Sequence, residues 1–367
     1  MANLFILGLE ESVDSIGLEM EDLYQRVGHN TGNLAFHYAI NSLLNLRPVS
    51  IPWSADSELI NSTGHLGIIP CANQIGSHAD MSELGKTLSN VNSNMVAIGL
   101  GAQASINLEV PAVPQGTIGW LNEIVRLAPS KHPNVAVRGD FTLEVLNSYG
   151  FEGKAVSLGC PSLFISRDRS IGSKIQERFK NPFKRACIAG GHPDWEHLKA
   201  IEISMVDLMN KTDGSYVVQA TQEALALARG EFEGNETYLS RLARYFDFDL
   251  DAEQMTRWVN KYFMAFYNIP SWMEYLKKFD VVVGPRIHGV MLAIQAGVPA
   301  VCIAHDSRTR ELCEKSCIPW LSADEVSGGI NLDILQNAKF DGDLFDRNRA
   351  FLFEEYKKFF SQNKIKF

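Results

Sequence analysis

Residues 281–308 read VVVGPRIHGVMLAIQAGVPAVCIAHDSR. Three consecutive valines require burial, which marks Val281–Val283 as a strand inside a parallel sheet. Gly284 and Pro285 end it, Met291–Ala296 has helical character, Gly297 and Pro299 form a stop signal, and Ala300–Ala304 is a second strand. The stretch is one strand–helix–strand unit. In an open parallel sheet, ligands bind outside the carboxyl ends of the strands. The first strand end delivers Arg286 and His288; the second delivers His305, Asp306 and Arg308. Neighbouring strands lie ~5 Å apart, so adjacency of these two would converge four or five polar groups on one pocket. His288 also falls at the start of the helix, where free N–H groups favour an anion. The plainer reading is that His288 caps the helix and Arg286 pairs with a surface carboxylate. Two loaded neighbouring strand ends weigh toward a site.

The same alternation runs along the whole chain. In the first half, Leu4–Leu7, Gly67–Ile69, Met95–Ile98 and Val135–Val137 have strand character, and Leu34–Leu46, Ile118–Leu127 and Phe141–Tyr149 have helix character. Pro161–Pro182 is polar and turn-rich and reads as the connection between domains. A second series follows: strands at Ala186–Ala189, Tyr216–Val218 and Val281–Val283, with helices from Gln222, over Ala252–Tyr267 and over Trp272–Phe279. Leu344–Gln362 is an amphipathic tail helix whose phenylalanines serve packing better than a membrane surface, given Glu354 and Glu355 beside them. The fold class is α/β: two Rossmann-like doubly wound parallel-sheet domains facing a cleft, at 1–183 and 184–343, with 344–367 as a helix packing back on the body.

Composition narrows the function. At 367 residues with 46% hydrophobic and 21% charged residues, the chain is globular and long enough for two domains. Its net charge of −9 argues against a nucleic-acid binder. No apolar run approaches the ~20 residues of a membrane span, and MANLFILGLEESVD reads as a first strand rather than a signal peptide. A cytoplasmic protein is expected, with peripheral membrane contact left open. The six cysteines are scattered, and Cys313 and Cys317 lack a second pair, so neither a disulfide nor a metal site is expected. Ile98–Gln103 contains G-x-G after a strand but lacks the rest of a dinucleotide fingerprint. Gly190-Gly191-His192-Pro193-Asp194 follows a strand and either faces the cleft or forms a capped strand-to-helix turn.

Asp280–Arg308 resembles the signature of the polysaccharide pyruvyl transferases: a D-x-V-V strand, R-x-H-G, a small-residue helix, G-x-P, an apolar strand and an aromatic-D-x-K ending. Here these are DVVV, Arg286-Ile287-His288-Gly289, Ala293–Ala296, Gly297-Val298-Pro299, VCIA and His305-Asp306-Ser307-Arg308. Val137-Arg138-Gly139-Asp140-Phe141-Thr142 is similar to the family's R-(x)-D/E-x-x-S/T turn. Gly159-Cys160-Pro161-Ser162-Leu163 stands where the family often has G-D-P-x-L, and His29-Asn30-Thr31-Gly32-Asn33 resembles its N-x-G-D/N opening. Arg308 replaces the family's lysine and His305 its aromatic residue.

The resemblance implies two domains arranged as in GT-B enzymes, the first on the acceptor side and the second carrying the donor site. It implies transfer of the enolpyruvyl unit of phosphoenolpyruvate to a sugar of a glycan or lipid-linked glycan precursor, forming a pyruvate ketal. Arg138, Arg286, Arg308 and Gly289 would then hold the donor's phosphate and carboxylate. His288, together with Arg286, would be catalytic, protonating the vinyl carbon or the departing phosphate. Asn30, Gly32, Asn33, His192, His305 and Asp306 would line the cleft or meet the acceptor. Phosphoenolpyruvate is a substrate in this scheme, and neither a metal nor another cofactor is called for. A glycosyltransferase of the same fold using a nucleotide sugar, and a non-catalytic glycan-assembly protein, remain as alternatives.

Overall fold

The computed structural model describes residues 4–44 and 47–367. Among these residues, twelve strands divide between two parallel sheets. The first holds β1 (Leu4–Leu7), β2 (Val49–Ile51), β3 (Leu66–Pro70), β4 (Asn94–Leu100), β5 (Val135–Val137) and β6 (Ala155–Ser157). The second holds β7 (Ala186–Ala189), β8 (Ser215–Val217), β9 (Phe263–Met264), β10 (Val281–Gly284), β11 (Ala300–Ala304) and β12 (Trp320–Ser322). The sheet orders are β2-β1-β3-β4-β5-β6 and β12-β11-β10-β7-β8-β9. Counted from its own first strand, the second sheet has the 3-2-1-4-5-6 order of dinucleotide-binding folds, with its reversal between β7 and β10. The first begins 2-1-3-4-5, as in flavodoxin-like folds, and reverses between β1 and β3. The two doubly wound sheets expected from the sequence are present.

Residue chemistry explains the layering. Strands β3, β7, β10 and β11 are buried along their whole length, as apolar strands covered on both faces by helices must be. β10 pairs with β7 on one side and β11 on the other, in the registers Val282↔Cys187 and Val282↔Ala300. The strand ends carrying Arg286 and His305 are therefore neighbours.

Several boundaries differ from the sequence expectation. Pro161–Pro182 contains a 3-10 turn at Pro161–Phe164 and a helix at Ile171–Phe179. That helix buries Ile171 and Ile175, an apolar stripe obscured by the turn residues before it. The span Ala252–Tyr267 ends as helix at Tyr262, and Phe263–Met264 becomes the edge strand beside β8. One continuous apolar run had hidden the change of period. The helix after β10 begins at Ile287 rather than Met291, because Arg286 takes the position just outside its first turn and Gly289 is accommodated within it. The helix placed at Leu34–Leu46 ends at Leu43, and residues 45–46 lie outside the described residues.

Two elements tie the halves together. Helix Ser307–Ser316 follows β11 and reaches across to the first sheet's loops. Its Glu311 carboxylate accepts from Thr142 N at 2.6 Å and Thr142 Oγ1 at 2.8 Å, satisfying a donor in the first turn of helix Asp140–Ser148. Ser307 Oγ accepts from Ala104 N at 2.8 Å, Arg310 donates to Ile106 O at 3.1 Å, and Lys315 pairs with Asp140 at 2.9 Å. The tail helix Gly342–Gln362 is the second tie. It buries Phe345, Phe359 and Phe360 and exposes Phe351, so most of its aromatic content is packing. Arg349 donates to Leu163 O at 2.9 Å and Asp168 O at 2.6 Å, and the Tyr356 hydroxyl donates to Gly159 O at 2.8 Å. No described helix is long and apolar enough to cross a membrane.

Tyr356 is fully buried, so removing its hydroxyl leaves Gly159 O without this partner. Tyr356→Phe is expected to cost about 1–2 kcal/mol in urea unfolding. A loss below the error of the measurement would show that the bond is dispensable.

Candidate functional site

Arg138 leaves the end of β5 and is 4% exposed. Its Nε donates to Gly99 O at 2.8 Å, and a Cβ on Gly101 would meet its Cδ at 2.9 Å. The G-x-G segment after β4 is thus a cradle for an arginine side chain. From the opposite sheet, Arg286 stacks its guanidinium 4.7 Å from the Trp195 ring centroid. Its terminal nitrogen reaches Gly191 O at 3.5 Å, while its Nε is buried without a partner among the described residues. Burial, and then the charge of Arg308, draw the Arg286 pKa down to about 10. Arg138 is lowered by burial and, more weakly, by Arg308, against an opposing effect of Cys160 and Glu311. Arg308 itself lies on the Asp306 carboxylate, with Nε and a terminal nitrogen 2.8 and 2.5 Å from Oδ2.

His288 sits among these cations. It is 9% exposed, with its ring centroid 5.5 Å from that of Phe36. Its Nε2 lies 3.7 Å from Cys160 Sγ. Burial, then Arg138 and Arg308, push its pKa down to about 3. The free protein therefore holds a neutral imidazole at pH 7. No side chain caps the helix that His288 helps to begin, so its first-turn N–H groups add to the positive field.

The remaining candidates divide by location. Gly32 stands opposite His288: a Cβ there would lie 2.6 Å from Gln219 Oε1 and 3.3 Å from His288 Cβ. Thr31 N donates to Gln219 O at 2.9 Å, so the first domain's opening loop touches the end of β8. Gly289 packs against the same glutamine, whose Nε2 is buried without a partner. Asn30 Oδ1 accepts from Gly32 N at 2.9 Å and shapes the loop. Asn33 donates to Gly28 O at 2.8 Å and Asp306 accepts from Thr309 N at 2.9 Å, both bonds serving local structure. Around Trp195 gather His305, with ring centroids 4.8 Å apart, and His192, at 5.9 Å. Burial lowers the pKa of both imidazoles, assisted at His192 by Arg286 and opposed at His305 by Asp306.

The family model of the polysaccharide pyruvyl transferases matches residues 30–307, from the Asn30 loop to the start of the bridging helix. The chain belongs to the polysaccharide pyruvyl transferase family. A search of curated proteins returned no match. Among solved structures, the Methanocaldococcus jannaschii UDP-GlcNAc 2-epimerase in complex with UDP-GlcNAc and UDP is similar at 10% identity, covering 96% of this chain and 99% of that one, with a TM-score of 0.46. Staphylococcus aureus MnaA in its UDP co-structure is similar at 9% identity, over 100% of this chain and 92% of that one, with a TM-score of 0.42. A functionally uncharacterised Klebsiella pneumoniae protein covers 87% of this chain and 93% of its own at 10% identity, also with a TM-score of 0.42. None of these likenesses bears on activity.

Within this pyruvyl transferase family member, two residues of the candidate site escaped the sequence. Glu202, fully buried in helix Lys199–Lys211, accepts from Gly191 N at 2.7 Å and the Tyr216 hydroxyl at 2.9 Å. Burial raises its pKa to about 7 against those bonds and the Arg286 charge. Trp195, the platform under Arg286, lies in a turn whose conformation no periodicity encodes. A turn-forming Gly-Gly pair ahead of a helix offered the only signal. No group of three or more His, Cys, Asp or Glu among the described residues is placed to hold a metal ion. A cavity of about 680 Å³ opens elsewhere, between Leu43, Phe164, Arg169 and Phe353, away from these side chains.

The neutral ring has a measurable consequence. The folded pKa of His288 lies below the ordinary 6.5, so above pH 6.5 its protonation does not distinguish folded from unfolded chains. Below that, unfolded chains take a proton that the folded ring refuses. The stability of the wild type relative to His288→Gln is expected to fall by about 1.4 kcal/mol per pH unit from pH 6.5 toward 5. Parallel stability curves for the two proteins would contradict the buried neutral ring.

Proposed function

We propose that this protein transfers the pyruvyl group of phosphoenolpyruvate to two hydroxyls of a sugar in a glycan or glycan precursor. The observation that supports the reading is that Arg138 and Arg308 act on a neutral His288 while Arg308 also acts on Arg286, which gathers three cations from two sheets at one place. Like charges gathered in a buried place destabilise the free protein unless an anion is meant to join them. Phosphoenolpyruvate offers a phosphate and a carboxylate a few atoms apart, each suited to a guanidinium fork. Arg138 and Arg286 would hold it across the cleft, with Arg308 released in part from Asp306 as the third cation.

The chemistry then has a consistent balance. The methylene carbon gains a proton and becomes a methyl group. Two sugar oxygens add to the adjacent carbon, and the bond from that carbon to the phosphate oxygen breaks. Of the two hydroxyl protons lost, one is accounted for in the methyl group and the other leaves with phosphate. Fixed cations around the departing phosphate stabilise the charge that develops there. His288 is the group placed to move the proton. The acceptor would enter from the side of Gly32 and Asn30, past His192 and His305.

Phosphoenolpyruvate is expected to raise the melting temperature in a concentration-dependent way, while UDP- and GDP-sugars do not. Stabilisation by a nucleotide sugar alone would favour a glycosyltransferase and remove the pyruvyl reading. Arg138→Ala and Arg286→Ala should abolish the phosphoenolpyruvate shift. His288→Ala should keep the shift and lose turnover by on the order of 10²-fold or more. Wild-type turnover in His288→Ala would remove the ring from the mechanism.

A further inference from the structure

The thiol of Cys160 occupies a position that packing alone does not explain. It lies in the turn after β6, is 1% exposed, and faces His288 Nε2 at 3.7 Å from a residue 128 positions away in the chain. Ser162 Oγ donates to the same sulfur at 3.0 Å. Arg138 is electrostatically coupled to it. The sulfur thus accepts a hydroxyl hydrogen bond and lies near a guanidinium. The turn is itself fixed: the Tyr356 hydroxyl of the tail helix donates to Gly159 O immediately before Cys160.

The ring opposite has a complementary need. In the tautomer that leaves Nε2 unprotonated, the neutral imidazole accepts the thiol S–H and carries its one proton on Nδ1. Among the described residues Nδ1 has no protein partner, and it is absent from the fully buried unpaired polar atoms, so it opens to the cleft. A neutral ring gives up that proton readily only if another arrives at Nε2.

Resting on the pyruvyl-transfer reading, we propose that Cys160 is the proton-supplying and positioning partner of His288, so that imidazole relays the thiol proton to the substrate carbon. In the forward step the Nδ1–H bond breaks as the new C–H bond forms at the methylene carbon. The S–H bond breaks as Nε2 takes its proton, leaving a neutral ring and a thiolate beside Arg138 and Ser162. When an acceptor hydroxyl attacks, Nδ1 takes its proton and Nε2 returns one to sulfur, restoring the pair. No oxidant or further reactant is consumed. The relay lets a ring surrounded by cations act as an acid without ever becoming an imidazolium ion. The groups facing His288 from each packed element are Arg138 after β5, Cys160 after β6, Arg308 on the bridging helix, the Gln219 amide after β8, and Phe36 with His37 behind it on helix Asn33–Leu43.

The test uses the full-length protein with ¹⁵N-labelled histidine, in wild type, Cys160→Ser, Cys160→Ala and Cys160→Asp, each first checked for wild-type circular dichroism. Without any substrate, the wild type should show His288 as the Nδ1–H tautomer, Cys160→Ala should lose that preference, and Cys160→Asp should move the titration of the ring upward. With phosphoenolpyruvate and an acceptor, Cys160→Ala should lower kcat by on the order of 10²-fold with KM for phosphoenolpyruvate changed less than about two-fold. Cys160→Ser, whose hydroxyl surrenders its proton less readily, should lie near the alanine variant. An unchanged tautomer in Cys160→Ala overturns the proposal, as does wild-type kcat in that variant. If the tautomer responds but the wild type neither binds nor turns over phosphoenolpyruvate, the thiol–imidazole couple stands and the pyruvyl reading falls. The relay is then overturned as a step in that reaction.

Discussion

The burial of Arg138 and Arg286, each repelled by Arg308, is the constraint to which the rest of the structure answers. Burying these guanidinium groups, with Arg138 and Arg308 also acting on the His288 imidazole, costs desolvation and Coulomb energy. Arg138 and Arg286 are shifted toward deprotonation, first by burial and then by Arg308, and burial with the charges of Arg138 and Arg308 drives His288 to about 3. The protein offsets this with carboxylates held behind the cations. Asp306 lies on Arg308, Glu311 lies near Arg138, and Glu202 lies behind Arg286. None of these three carboxylates replaces an anion in the cleft, because each is already engaged in capping a helix turn or bonding a backbone amide.

The fold supplies the placement. Parallel strands point all their carboxyl ends the same way, and the order of the second sheet reverses between β7 and β10. Gly191 and Arg286 emerge at that reversal, where a crevice opens between diverging loops. Helix Ser307–Ser316 then acts as a bolt: it begins at Asp306 beside the cations and ends against Asp140 of the other domain. Its docking keeps Arg138 and Arg286, which come from different sheets, in register. The tail helix fixes the Gly159–Cys160 turn from behind. Remote packing and the geometry at His288 are therefore linked through a short chain of buried bonds.

What the sequence disclosed follows from what periodicity and strand-end rules encode. Arg286 and His288 were legible because a valine run demanded a central strand, which assigned the next residues to its functional end. Arg138 was legible only through the family resemblance of Val137–Thr142. The supporting residues were not. Gly99 and Gly101 looked like part of a failed dinucleotide motif, and their purpose appears only once Arg138 is laid across them. Glu202 sits in the first turn of its helix, where an acid is ordinary, and its partners come from a loop and a strand elsewhere. Asp306 was counted with the cleft, although the D-x-x-T spacing from Asp306 to Thr309 is that of a helix cap. The neutral state of His288 depends on burial and on charges from two other segments, which no local pattern contains.

The central claim, that a compact donor bearing two anionic groups bridges the domains at this cation cluster, is tested most directly by crystallography of the protein soaked with phosphoenolpyruvate. The account predicts density joining Arg138 to Arg286, with the methylene carbon turned toward Nδ1 of His288. Density for the donor outside this cluster, or an empty cluster at a concentration that stabilises the protein in solution, would contradict it.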